Sequence, residues 1–390
     1  IMKKLLVLVA FVVSLTANAS HLLGGHIQAI QQGLSDTVDI TVTLFNDPQG
    51  IGLPQTLILN EYKVTVSAGV YVSNGTVSAS QSTSYSWQGN TVTVYTSTII
   101  RTAGNYRWVY SNCCRGILSN APSAGNSNFT MALDYRKTGV GIPNSAPILF
   151  NQLPQSWVVN DTAQAIILAF DPDGDSVVVE MDDALNQYAN MVFVPLSPFS
   201  QLNSYGYYSV NLNGMITWAP NTLGKFGTGY KVSEYRNGNL IGVNRIQQVY
   251  SVIAGSTPSI PSPFVQVNHD LIDGDSTEIY IMSNNATTTE LFIPNVDVTK
   301  TSDSTWTLSN LQLGTYKAVS RVSNSSSNMD YLFTFTVLST INIEENTIYG
   351  DVGYKVYDWN GRYLGNTLEN QKGFLILLYD DGKTQKIFQL

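Results

Sequence analysis

The sequence predicts an all-β protein made of tandem antiparallel β-sandwiches that end in a short C-terminal β unit. Apolar and polar residues alternate in many short runs, which is the period of a strand with one buried face. After residue 19 almost no segment has the spacing of an amphipathic helix. Asn-Gly pairs, which favour tight hairpins, separate the runs at residues 74–75, 213–214, 237–238 and 360–361. Short strands joined by tight turns are typical of antiparallel sheets and not of βαβ units.

The run over residues 36–45 shows the pattern, because its apolar residues at 38, 40, 42 and 44 fall on one face and polar residues on the other. The same alternation predicts further strands over residues 90–95, 163–170, 177–181, 207–212, 248–253, 277–282, 316–322 and 331–338.

Residues 1–19 have the features of an export signal. Lys3 and Lys4 precede an apolar run over residues 5–13, and Ala17-Asn18-Ala19 is a small-x-small cleavage site. We therefore expect the mature chain to begin at Ser20 and to lie outside the cell or on its outer surface. A buried N-terminal helix is the alternative. No later segment is apolar and long enough to predict a membrane span.

Composition excludes one class of partner. Charged residues make up 12% of the chain, about half the ~25% that is usual for soluble proteins. The net charge is −8, which argues against a nucleic-acid partner because there is no basic field to displace phosphate counterions. The two cysteines, Cys113 and Cys114, are adjacent, and either two reduced thiols or a disulfide between them is expected.

Breaks in the pattern divide the chain into modules. Residues 139–147 are rich in glycine and proline, residues 255–263 form a Pro/Ser linker, and a weaker break lies near residues 339–346. The predicted parts are a first β-sandwich (20–142), a second (143–254), a third (264–340) and a C-terminal unit (341–390). Asp-Gly-Asp-Ser occurs at residues 173–176 and again at 273–276, which supports a repeated module of immunoglobulin size.

Several motifs over residues 20–253 carry a family resemblance. They are Ser20-His21-Leu22-Leu23-Gly24-Gly25, Cys113-Cys114-Arg115, Asn144-Ser145-Ala146-Pro147, the acidic segment 171–176, Gly214–Trp218 and Glu234–Gly238. In this order they resemble a family of secreted Bacteroidetes surface proteins with cadherin-like or immunoglobulin-like (PKD-type) modules. The resemblance implies immunoglobulin-like sandwiches and a surface role. The chain departs from it at His26, where the family commonly has glutamate.

The C-terminal unit is similar to the sorting domain of the type IX secretion system. The matching segments are Val356–Arg362, an apolar run over residues 373–379, and a closing hairpin with Asp381-Gly382-Lys383. The resemblance implies that the type IX secretion machinery is a partner. The usual Tyr-Pro-Asn-Pro opening is replaced by residues 344–350, and an ordinary terminal β-hairpin is the alternative.

The strongest candidate site is the carboxylate set Asp171, Asp173 and Asp175. Carboxylates at alternate positions of a glycine-containing turn can direct their oxygens at one hard cation, and calcium accepts about six to eight such ligands. The set resembles the acidic loops between cadherin-like modules, and calcium is the cofactor it predicts. A solvated turn with Asx-type hydrogen bonds is the alternative. Asp270, Asp273 and Asp275 form a weaker candidate of the same kind.

The motifs of common enzyme classes were not found, including the G-x-S-x-G elbow, the zinc helix and the P-loop. We therefore expect a non-enzymatic secreted or cell-surface structural or adhesive protein exported by the type IX route. Its expected partners are an extracellular protein or glycan surface, or other copies of itself. Two alternatives remain: a subunit of a self-assembling extracellular filament, and a carbohydrate-active enzyme with an unrecognised carboxylate pair. Asp182-Asp183 is the adjacent acidic pair that such an enzyme could use.

Overall fold

The computed structural model describes residues 22–48, 50, 52–64, 70–87, 89–113, 115–122, 127–139, 143–149, 156–197, 199–255, 262–267, 271–272, 277–284, 286–323, 328–338, 354–358, 362–365, 373–379 and 384–389. The predicted signal peptide, its cleavage site and most of the predicted linker lie outside these residues. The described residues fall in two compact units that divide between Val337 and Leu338. Among them, no helix is long and apolar enough to cross a membrane.

The structure confirms the all-β prediction, and the strand pairs of its sheets are antiparallel except for the pair of β9 and β18 among the described residues. The first block of the chain contributes seven strands: β1 (Leu22–Gln31), β2 (Thr37–Asn46), β3 (Thr56–Val64), β4 (Tyr71–Trp87), β5 (Asn90–Ile100), β6 (Gly104–Cys113) and β7 (Asn128–Lys137). They form one continuous sheet in the order β1-β2-β5-β4-β3-β6-β7. Alternate residues of these strands make the core, including Val38, Ile40, Val42 and Leu44 as the alternation predicted.

The second block contains eleven strands: β8 (Ile148–Leu149), β9 (Ser156–Val158), β10 (Ala163–Ile166), β11 (Ala169–Phe170), β12 (Ser176–Asp182), β13 (Leu185–Ala189), β14 (Val192–Pro195), β15 (Gly206–Val210), β16 (Met215–Pro220), β17 (Gly224–Arg236) and β18 (Asn239–Ile253). One large sheet has the order β10-β16-β15, the other contains β12, β17, β18 and β9, and two further sheets are the pairs β11-β8 and β13-β14. Trp157, Trp218, Phe226 and Tyr250 fill the core between them. Strand β9 runs parallel to β18.

Strand β18 closes the sheet of the first block. The edge of β18 opposite β17 pairs with β7 at residues 243–245 and with β1 at residues 247–248. The seven strands of the first block and β18 therefore form a closed ring of paired strands. The first block was predicted as a β-sandwich of residues 20–142. In the structure its single sheet is completed by a strand of the second block.

The third block is a sandwich of two four-stranded sheets. Its strands are β19 (Ser262–Val267), β20 (Leu271–Ile272), β21 (Thr277–Asn284), β22 (Thr288–Phe292), β23 (Asp297–Lys300), β24 (Thr305–Ser309), β25 (Gly314–Ser323) and β26 (Asn328–Leu338). The sheets have the orders β19-β21-β24-β23 and β20-β26-β25-β22. This is the immunoglobulin arrangement of strands A, B, E and D against C, F and G. Ile279, Trp306 and Val322 lie in the core between the sheets.

The C-terminal unit is one antiparallel sheet. Its strands β27 (Tyr354–Asp358), β28 (Tyr363–Gly365), β29 (Gly373–Tyr379) and β30 (Thr384–Gln389) have the order β28-β27-β29-β30. A strand lies at the apolar run 373–379, as the sequence predicted, and Asp381-Gly382-Lys383 of the predicted hairpin lie outside the described residues. Val356 is buried within this unit.

Candidate metal centre at the junction of the first two blocks

Two consecutive glycines bring the first block against strand β18. Gly24 and Gly25 pair with Gln248 and Gln247 across the β1–β18 contact. A Cβ on Gly24 would lie 2.9 Å from the carbonyl oxygen of Gln247, and one on Gly25 would lie 2.7 Å from that of Thr43. Only glycine fits such close approaches of one backbone to another, so Gly24 allows β1 to lie against β18 and Gly25 allows it to lie against β2.

Arg115 lies in the interior of the same junction. Its guanidinium donates from Nη2 to the carbonyl oxygen of Leu185 and to Oε1 of Gln247, both at 2.8 Å, and from Nε to the carbonyl oxygen of Asn128 at 3.1 Å. Burial lowers the pKa of this guanidinium to about 9, which still leaves it protonated at neutral pH. Arg115 therefore ties strand β7 to the second block through neutral acceptors.

The cysteine motif precedes this arginine. Cys113 is disulfide-bonded, and the sequence contains one other cysteine, Cys114. Of the two expectations, the structure thus agrees with the disulfide. Cys114 lies outside the described residues.

The linking segment, residues 143–147, connects the first two blocks and is held through its own main-chain groups. The backbone N–H of Asn144 donates to Oε1 of Gln31 at 3.1 Å, and that of Ala146 donates to the carbonyl oxygen of Ala29 at 2.7 Å. The Tyr135 hydroxyl donates to the carbonyl oxygen of Asn144. The linking segment is consequently fastened to β1 and β7.

The predicted acidic site lies against this linking segment. Asp171 Oδ1 accepts the backbone N–H groups of Asp173 at 2.9 Å and of Asp175 at 3.1 Å, which shapes the loop. Asp173 Oδ2 accepts the backbone N–H of Ser145. The carboxylate of Asp173 therefore accepts a hydrogen bond from the linking segment, whereas the carboxylates of Asp171 and Asp175 lie near a glutamate of strand β17.

That glutamate is Glu234 of strand β17. Residue Val177, two positions after Asp175, pairs with Glu234 in the β12–β17 ladder, so this register brings the glutamate to the acidic loop. One carboxylate oxygen from each of Asp171, Asp175 and Glu234 lies within 4.8 Å of the other two. Glu234 is completely buried, and Asp171 is 2% exposed.

The electrostatics of the cluster follow from burial and like charge. Burial, followed by repulsion from Asp171 and Asp175, raises the pKa of the Glu234 carboxyl to about 9. Burial also raises the pKa of Asp171 to about 6, although its two backbone donors oppose the change. Arg236 is the cation in contact with the cluster. It donates to Asp175 from Nε at 2.9 Å and from Nη2 at 2.6 Å, and from Nη1 to the carbonyl oxygen of Pro143 at 3.2 Å.

The sequence did not predict Glu234 as a site residue, although one of the motifs behind the family resemblance contains it. The available signal was a glutamate at the alternate position after Tyr230 and Val232, on the face of the strand that those two residues predict to be buried. The residues of the weaker acidic candidate, Asp270, Asp273 and Asp275, lie outside the described residues.

The acidic pair Asp182-Asp183 has structural contacts. Asp182 lies 3.6 Å from Nε of Arg245, and Asp183 accepts a hydrogen bond of 2.6 Å from Nε2 of Gln201. Each carboxylate of this pair is thus engaged with a side chain of the second block.

Comparison with known proteins gives only distant similarity. No family model and no curated protein matches the chain. Among solved structures, the tandem Ig repeats of Dlar are 14% identical, cover 50% of this chain and 98% of their own, and have a TM-score of 0.22. Extracellular domains 3–5 of Drosophila OTK are 12% identical over 80% and 97%, with a TM-score of 0.18. A Dscam structure is 12% identical over 95% and 98%, with a TM-score of 0.20. The immunoglobulin-type fold therefore rests on the strand order itself.

Proposed function

We propose that this chain is a non-enzymatic structural or adhesive protein, secreted or held at the cell surface after export by the type IX route. Three features support the proposal: the export signal in the sequence, the C-terminal sheet at the segments that resemble a sorting domain, and tandem β modules joined by a stiff junction. The junction is the observation on which the structural role chiefly depends.

Strand β18 makes this junction stiff. It pairs with β17 from Asn239 to Val252, and its other edge pairs in turn with β7, β1 and β9. Bending one block against the other would break backbone hydrogen bonds that are shared by both. A protein that bears load or presents a surface at a fixed angle benefits from such a shared strand.

The outer face of the first sheet supplies the surface for contact. Gln28, Thr41, Thr96, Ser80 and Thr56 lie side by side on strands β1, β2, β5, β4 and β3. The last three of them are exposed. Hydroxyl and amide groups that lie side by side on the outer face of a sheet suit hydrogen bonding to an extracellular protein or a glycan.

Export can be tested by deleting the C-terminal unit. In a bacterium that has the type IX route, the full chain should reach the medium or the outer surface, and a chain that ends at Thr340 should accumulate in the periplasm. As a matched control, residues 341–390 fused to a periplasmic fluorescent protein should carry it out of the cell. Surface exposure of the truncated chain would contradict the sorting role.

The purified protein distinguishes the alternatives. A structural or adhesive protein should remain dispersed in light scattering at rising concentration and should bind cells or glycan arrays. An ordered polymer in negative-stain microscopy would favour the filament. Hydrolysis of an oligosaccharide panel would establish an enzyme and end the proposal.

A further inference from the structure

We propose that Asp171, Asp175 and Glu234 bind a calcium ion that fastens the junction between the first two blocks. The proposal does not depend on the export route or on the adhesive role. It replaces the contiguous set that the sequence predicted with a site made from a loop and a distant strand.

The distances suit calcium. Calcium–oxygen bonds measure about 2.3–2.6 Å, so two ligands on opposite sides of one ion lie at most about 5 Å apart. The three carboxylates each offer an oxygen within 4.8 Å of the others, which requires little movement to reach such an ion. Magnesium, with bonds of about 2.0–2.1 Å, would need the oxygens drawn closer together.

Unsatisfied oxygens point to a missing ligand. Within the described part of the chain, no N–H or hydroxyl group donates to Asp171 Oδ2 or to either carboxylate oxygen of Glu234, and these three atoms are buried. Buried carboxylates are normally paired with a cation or with donors, because loss of hydration is otherwise uncompensated. Glu234 comes from a different strand than the acidic loop, yet its side chain is directed at it.

The local charge is also unbalanced. When all four are ionised, as carboxylate ligands of a metal must be, Asp171, Asp173, Asp175 and Glu234 meet one guanidinium, that of Arg236, which is bound to Asp175. A divalent cation would offset most of the excess negative charge. A carboxylate can accept from an arginine and still bind a metal, since its two oxygens offer about four acceptor positions.

The site lies where it would affect the junction. Asp173 holds the backbone of Ser145, and Arg236 holds the carbonyl of Pro143, so both ends of the cluster contact the linking segment. Asn144 in this segment is completely buried, and among described atoms neither its side-chain oxygen nor its nitrogen has a partner. Ordering the acidic loop around an ion would therefore also order the linking segment.

The test is calcium binding by the full protein after treatment with a chelator. Isothermal titration should show one site, and calcium at 100-fold excess over Kd should raise Tm by at least about 3 °C. Glu234→Gln keeps the size of the side chain and removes a ligand charge, so it should abolish both effects while the protein still folds. Glu180→Gln, an exposed carboxylate on strand β12, is the matched control and should bind as the parent does.

Three results would overturn the proposal. The first is a parent protein that neither binds calcium at millimolar concentration nor shows a shift in Tm. The second is a Glu234→Gln variant that retains the full calcium response. The third is an equal response to magnesium, which would reject calcium as the ion. If Glu234→Gln failed to fold, Asp171→Asn would take its place with the same expectations.

Discussion

The second block meets its two neighbours in different ways. Its junction with the first block is a shared backbone ladder reinforced by buried polar side chains. Its junction with the third block is an apolar patch in which Ile166 and Leu168 pack with Val319, and Phe292 and Leu332 border them. A ladder fixes direction and register, whereas apolar contact is non-directional.

One polar contact anchors the second of these junctions. Asp330 accepts the backbone N–H of Ile166 at 2.9 Å and forms an ion pair with Arg321, in which Oδ1 lies 2.7 Å from Nε. Both charged side chains are almost completely buried. This buried pair and its bond to Ile166 thus fix the orientation of an interface that apolar packing alone would not fix.

The largest expected effect comes from breaking this pair. Asp330→Ala removes the carboxylate of a buried arginine and the acceptor of Ile166, and should lower the free energy of unfolding by about 3–5 kcal/mol. Chemical denaturation measures the loss. Asp303→Ala removes a fully exposed carboxylate that lies 3.9 Å from Lys300, and this control should change stability by less than about 0.5 kcal/mol. Equal losses in the two variants would contradict the anchoring role of Asp330.

Substitution of a glycine of strand β1 should weaken the first junction. A side chain at Gly25 would meet Thr43, Leu44 and the sulfur of Met131 within 3.0 Å, so Gly25→Val should lower stability by about 3 kcal/mol. Hydrogen exchange should show lost protection in β1 and β18 and unchanged protection in the third block.

The control for this substitution is Gly52→Val. No described atom lies within 4 Å of a Cβ placed on Gly52, so this variant should remain close to the parent. If Gly25→Val exposed the third block as strongly as β18, the two junctions would be one cooperative unit and the contrast between them would fail.

The difference between the junctions explains what the sequence could predict. Strand periodicity is local, so the all-β class and most strands followed from it. The first junction requires particular residues, namely glycines for close approach, an arginine for buried carbonyls and carboxylates for the loop. Because such residues cannot be exchanged freely, they stand out in the sequence as motifs. The motifs behind the family resemblance supply six residues of this junction: Gly24, Gly25, Arg115, Asn144, Asp171 and Glu234.

The partners of those motifs could not be predicted. Gly25 pairs with Gln247 in the β1–β18 ladder, and Arg115, which lies between β6 and β7, donates to the side chain of the same residue. Contacts over such sequence separations depend on strand order, which periodicity does not encode. For the same reason Glu234 was not assigned to the acidic site, and β18 was not expected to close the first sheet. The second junction combines apolar side chains with the buried pair of Arg321 and Asp330, and no sequence motif marked either of these two residues.

Acid should weaken the first block selectively through His26. Burial lowers the pKa of this histidine to about 4, below its ordinary value of 6.5. Between pH 6.5 and 4 the unfolded chain therefore binds a proton that the folded protein does not, and stability falls as the pH falls. From pH 7 to pH 5 this contribution is about 2 kcal/mol, at ~1.36 kcal/mol for each pKa unit.

The readout for His26 is a difference in pH dependence. His26→Gln cannot take up the proton, so its stability should fall by about 2 kcal/mol less than the parent's between pH 7 and pH 5. This slope is informative even if the substitution lowers stability at every pH. Parallel pH profiles for the two proteins would show that the histidine is solvated in the folded state.

The smallest expected effect is at a surface ion pair that also crosses the first junction. Lys225 of strand β17 lies 3.4 Å from Asp47 of the first block, and its side chain is 44% exposed. Lys225→Ala should lower stability by at most about 0.5 kcal/mol, and this difference should vanish in 1 M salt because exposed charges are screened there. A loss above about 1 kcal/mol that persists in salt would mean that side-chain pairs, and not the shared ladder, hold the two blocks together.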